Sequence, residues 1–138
     1  MKSKKRFIKN LMAAEQDLSN KHGGFSLFAA CFREDTMLDT WDLVVAASWL
    51  LPETKNSYTT IMDGIRRNMD NDEIFDLHAL PLLDPDDFRI LEIHDEYGEV
   101  EHGFIDLGRC QLFDMDMERV YIITSKRRDA LVSAEVNS

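Results

Sequence analysis

Apolar residues recur three and four apart near the start of the chain. Phe7, Ile8, Leu11, Met12 and Leu18 fall on one stripe, with Glu15 set into it. The spacing predicts an amphipathic helix over 4–20, ended by Gly23-Gly24, since glycine accepts the positive φ of a helix C-terminus. Two continuous apolar runs follow, at 25–33 and 41–50. Both are aromatic or β-branched and bounded by polar residues, which predicts central strands. The connection between them is short enough for an antiparallel hairpin. Pro52 stops the second strand, and Tyr58, Ile61, Met62, Ile65 and Met69 then predict a second amphipathic helix, in which Gly64 costs little.

The second half is less regular. Residues 74–83 fit a strand or a short helix, and Pro81 argues against a central strand because its ring removes a ladder donor. Asp84-Pro85-Asp86-Asp87 predicts a turn. Phe88 to His94 and Val100 to Leu107 then predict a hairpin around Glu96-Tyr97-Gly98, and Arg119 to Ser125 a last strand. The element order predicts an α+β fold over residues 1–128, with an antiparallel or mixed sheet of about five strands and two helices on one face. Residues 129–138 have few apolar anchors and are expected to fray.

Composition narrows the class. At 138 residues the chain has the length of one domain and enough apolar content, 44%, to build a core. The longest apolar stretch, Leu43 to Leu51, is far short of the roughly 18–20 residues a bilayer requires. Cys31 and Cys110 lack the paired spacing of a disulfide framework, so two reduced thiols and a cytoplasmic location are expected. The net charge of −10 is unevenly placed. Residues 1–23 carry six basic and two acidic side chains, whereas residues 34–118 carry 22 acids against five bases. Such a body argues against a general nucleic-acid binder, whose phosphate contacts need a basic face. It suits a basic protein partner, self-association, or its own basic ends folding back.

Catalytic signatures are sparse. Asp70-Asn71-Asp72-Glu73 lacks the glycine and the closing glutamate of a calcium loop. No Gly-x-Ser-x-Gly surrounds a serine, and no glycine-rich phosphate loop links a strand to a helix. Glu53-Thr54-Lys55 has the Glu-x-Lys spacing of some metal-dependent nucleases, but Pro52 places it at a helix entrance rather than on a strand. His94 and His102 flank the expected hairpin turn with Glu101 between them; a one-residue bulge would bring them to one side as a divalent-metal or general-base site. Asp114, Asp116 and Glu118 alternate with Met115 and Met117, which puts three carboxylates on one face of an extended segment. Trp41 and Trp49 lie eight apart and share a face if the strand is regular, for core packing or as a binding surface, with a small-molecule site between helix and sheet near them as a third alternative. Lys126-Arg127-Arg128, just after the last strand, reads first as a solubilising end and second as a group that docks on acidic surface.

The segment Trp41-Asp42-Leu43-Val44-Val45-Ala46-Ala47, followed by a helix, and the strand Arg119-Val120-Tyr121-Ile122-Ile123-Thr124-Ser125 together resemble a pattern found in small uncharacterised bacterial α+β proteins. The resemblance implies a fold and a compartment; it brings neither an activity nor a catalytic residue. The expectation that follows is a non-enzymatic acidic module that binds itself or a basic protein, with no organic cofactor. Its surface would use Trp41, Trp49, Asp114, Asp116 and Glu118. The competing expectation is a metal-dependent hydrolase built on His94, Glu101 and His102.

Overall fold

A computed structural model describes residues 4–33, 40–51 and 54–127. The expected tail at 129–138 lies outside the described residues, as do Pro52 and Glu53. The described residues form four helices and six strands, in the order α1 (Lys4–His22), β1 (Leu27–Arg33), β2 (Trp41–Ala46), α2 (Lys55–Asn68), α3 (Asn71–Phe75), β3 (Leu77–Ala79), β4 (Leu82–Leu83), α4 (Phe88–Tyr97), β5 (Ile105–Leu112) and β6 (Met115–Ser125). The fold is α+β, with one mixed sheet in the order β3-β2-β1-β6-β5 and β4 also paired to β2. The expected β1–β2 pair is antiparallel, with Ala29 opposite Val44 and Cys31 opposite Asp42. β3 and β4 run parallel to β2 on its outer edge. Pro81 sits between them and supplies only its carbonyl, which accepts from the Val45 N–H at 3.1 Å. A proline is tolerated there because an edge position asks for no second donor.

β1 is the centre of the molecule. Residues Leu27 to Phe32 are all buried, and their alternation feeds two cores. Phe28, Ala30 and Phe32 join Phe7, Leu11, Leu18, Trp41, Ile61 and Ile65 on the face covered by α1 and α2. Leu27, Ala29 and Cys31 join Val44, Ile90, Ile93, Met117 and Val120 on the face covered by α4. The two helices expected on one face are α1 and α2, and the shorter α4, which the sequence pattern did not suggest, takes part of the other.

The hairpin expected over 88–107 is corrected. Residues 88–97 form a helix because Asp87 caps it, accepting from the Arg89 N–H at 2.9 Å, after an Asx turn in which Asp84 accepts from the Asp86 N–H at 2.8 Å. Ile90, Ile93 and His94 then fall on the buried side at helical spacing. Gly98 stops the helix at φ +78, its N–H donating to the His94 carbonyl. Val100 keeps only an isolated bridge to Ser125. The true hairpin is β5–β6. Its turn residues Phe113 and Asp114 both have positive φ, 54 and 62, as a tight two-residue turn on right-twisted strands requires.

The α1–α2 contact rests on Gly64. A Cβ built there would lie 2.5 Å from Cγ of Leu18, which is fully buried and has nowhere to move. Gly64→Ala should therefore destabilise the protein by about 1–3 kcal/mol through overpacking. Helix propensity alone predicts a gain of about 1 kcal/mol from the same change. Chemical denaturation separates the two, and a more stable variant would contradict this packing.

Candidate functional site

The expected histidine pair does not assemble. His94 lies on α4 and is buried; its Nε2 donates to the Ser26 carbonyl at 3.0 Å, and its Nδ1 has no partner among the described residues. His102 lies in the loop after α4 and turns toward α1, where its Nδ1–H donates to Glu15 Oε1 at 2.7 Å. The two imidazoles thus serve helices on opposite faces of the sheet. Among the described residues no group of three or more His, Cys, Asp or Glu side chains is arranged to hold a metal ion.

Glu101 and His102 do come together, with His102 Nε2 3.7 Å from Glu101 Oε2 and Lys126 Nζ 3.3 Å from Glu101 Oε1. The organising residue of that network is Glu15, fully buried on α1. One oxygen takes the His102 ring N–H, and the other takes the Thr124 hydroxyl at 2.8 Å. Thr124 Oγ in turn accepts the His102 backbone N–H at 3.1 Å. A register shift between β1 and β6 opposes Phe28 to Thr124 and Ala29 to Ile122, leaving Ile123 as the extra residue. That bulge lets Ile123 and Thr124 both serve the α1 side. His102 holds φ +56, uncommon for a side-chain-bearing residue, because these three bonds over-determine it. The arrangement ties α1 to β6: a buried carboxylate with both oxygens bonded is stable where an unpaired one is not.

Trp41 offers no surface, and Trp49 keeps part of its ring accessible. Trp41 is 2% exposed, packs edge-on against Phe7 at 4.8 Å and donates its indole N–H to the Glu73 carbonyl. Trp49 is not on β2, which ends at Ala46; it is half-buried against His22 and Phe25 and donates to the Gly24 carbonyl. Asp116 and Glu118 are exposed and alternate with buried Met117, as expected of that strand, while Asp114 belongs to the turn. Lys126 and Arg127 do more than solubilise the end: Lys126 pairs with Glu101, and Arg127 pairs with Asp95 of α4.

Among the described residues, a feature open to a ligand lies on the α4 face. With ten residues, α4 covers less of the sheet than the helices behind it. Two adjoining hollows remain at the β5–β6 turn. One, of about 150 Å³, lies between α4 and the turn and is lined by Glu92, Glu96, Tyr97, Phe88 and Asp114. The other, of about 160 Å³, lies over the sheet and is lined by Cys31, Val44, Leu83, Met115 and Met117, with Asp42 in its wall. Arg89 and Phe113 line both, the guanidinium standing 5.7 Å over the ring, and so form the partition.

Electrostatics hold that partition in place. Arg89 forms a two-pronged pair with Asp87 at 3.0 and 2.8 Å. These hydrogen bonds keep the Asp87 carboxyl below the usual carboxylate range and raise Arg89. Asp42 is anchored by Arg33 at 3.4 Å and His78 at 3.1 Å. Burial pushes the Cys31 thiol well above its ordinary range, with Asp42 adding to the effect, so it is a protonated floor group rather than a nucleophile. Burial also raises Tyr97, which stays neutral. No family model, curated protein or solved structure matches the chain significantly.

The Glu15 network gives a stability prediction. Thr124→Val removes the hydroxyl that serves both Glu15 and the His102 N–H, and should cost about 1–3 kcal/mol. In a Glu15→Leu background the same change should cost distinctly less, because the buried acceptor is gone. Equal costs in the two backgrounds, measured by denaturant unfolding, would show that the network is not coupled.

Proposed function

We propose that this chain is a non-enzymatic binding domain for a basic protein partner, and that the divided hollow on the α4 face is its docking site. The observation that carries the reading is the size and lining of the two hollows. Small-molecule sites begin at roughly 300 Å³, about twice either one, whereas a cavity of about 150 Å³ holds a single ring-sized group. Each is thus a socket for one side chain, which suits a protein segment better than a metabolite.

Charge supports the sign of the partner. Residues 84–101 carry eight carboxylates and one arginine, the densest acidic stretch in the chain. The chain's own cations already use part of it: Asp87 holds Arg89, Asp95 holds Arg127 and Glu101 holds Lys126. Glu92, Glu96 and Asp114 line the socket instead. Carboxylates around a partly apolar hollow steer and select a cationic partner.

A short dye-labelled peptide alternating lysine and leucine tests this by fluorescence anisotropy. It should bind at low ionic strength and weaken as salt rises. The variant Glu92→Gln/Glu96→Gln/Asp114→Asn should lose about tenfold in affinity, three partly exposed charge contacts being worth about 1–2 kcal/mol together. Equal binding of the glutamate counterpart peptide, or full affinity in the variant, would contradict the reading.

A further inference from the structure

The two sockets differ in chemistry, and this difference specifies the partner further. The inference rests on the reading just given. The socket over the sheet is floored by Cys31, Val44 and Met117 and walled by Leu83 and Met115. Cys31 and Met117 belong to the buried core of that face, and Met115 is 38% exposed at its mouth. The socket between α4 and the turn presents Glu92, Glu96 and Asp114 together with the rings of Phe88 and Tyr97. Carboxylates beside aromatic faces suit a lysine or arginine side chain, whose stem packs on the rings while its head meets the acids.

From this arrangement we infer a two-point recognition site for a short segment carrying one aliphatic and one cationic side chain close together, the aliphatic one in the Met115–Met117 socket and the cationic one in the Glu92–Glu96 socket. The shared wall sets the spacing. Arg89 and Phe113 line both sockets, so the two side chains must straddle one partition. That wall is built to stay put. Asp87 holds the guanidinium by two hydrogen bonds, and Phe113 sits in a turn at φ +54, a conformation an aromatic residue seldom adopts without a reason. Met115 at the mouth and Met117 on the floor of the aliphatic socket adapt to Leu, Ile or Met in the occupant.

The experiment uses the full chain and a set of capped glycine–serine peptides that carry one leucine and one lysine separated by one, two or three residues. Binding is followed by the methyl resonances of Met115 and Met117 and the backbone amides of Glu92 and Glu96. One spacing should bind best, and replacing either leucine by serine or lysine by glutamine should weaken it about tenfold, near the worth of one buried aliphatic side chain. Met115→Asp should abolish the advantage of leucine while leaving the lysine contribution, and Glu92→Gln/Glu96→Gln should do the reverse. Both changes are at solvent-exposed positions, so folding should be retained, and the amide spectrum checks it. If lysine-only peptides bind as well as the pair, the two-point inference fails while the basic-partner reading stands. If no peptide binds, or if the shifts fall outside both sockets, both fail. Concentration-dependent self-association that occupies the sockets would replace the foreign segment by a second copy, and overturns the inference in favour of a dimer.

Discussion

Everything in this fold depends on β1 being buried on both faces. A strand whose residues from Leu27 to Phe32 are all buried must be covered twice, and the chain does this unequally. α1 and α2, of 19 and 14 residues, close one side, helped by the absence of a side chain at Gly64. On the other side the described residues supply only the ten of α4. A sheet with two apolar faces and one short cover leaves apolar ground exposed, and that ground surrounds the β5–β6 turn. The groove is thus a consequence of the coverage of the sheet. Its occupant is a question of what lines it.

Polar groups then decide which parts of the surface are free. Glu15 on α1 is bonded by His102 and Thr124, which fixes the long helix to the last strand. The basic ends of the sequence fold back on its acidic middle, Arg6 onto Asp70, Lys126 onto Glu101 and Arg127 onto Asp95. The charge asymmetry along the chain is in part an internal complement. The carboxylates of Glu92, Glu96 and Asp114 line the groove instead, where acidity and apolar surface coincide. On the proposed reading, Coulombic steering and apolar burial act on a basic partner at one place.

The first half of the fold was legible because its periodicities are unambiguous. The stripes of α1 and α2 and the continuous runs of β1 and β2 each match one template. The stretch after Asp87 was harder: Phe88, Ile90, Leu91 and Ile93 satisfy a short strand pattern as well as a helical one. Asp87 as an N-cap and the turn at Asp84-Pro85 were the local signals for a helix. The candidate groove is not legible from a strand pattern over 88–94, since Glu92, Glu96 and Tyr97 converge only on a helix. The strand reading also sets His94 and His102 on the two arms of one hairpin, whereas His94 on α4 bonds the Ser26 carbonyl and His102 turns to Glu15 of α1. Glu15 was visible as a carboxylate on an apolar stripe, a position that calls for a buried partner, but no spacing in the sequence could name Thr124 from 109 residues away. Asp42 and Arg89 likewise meet the groove through tertiary packing alone.

The central claim is that basic segments dock at the divided groove rather than spreading over a generally acidic surface. Paramagnetic relaxation with a spin-labelled lysine–leucine peptide tests this directly. The account predicts broadening concentrated at Phe88, Tyr97, Asp114 and Met115, with the exposed side of α2 around Asp63 and Arg66 spared. Broadening that instead follows exposed carboxylates wherever they lie, including Asp63, Asp72 and Asp106, would contradict it.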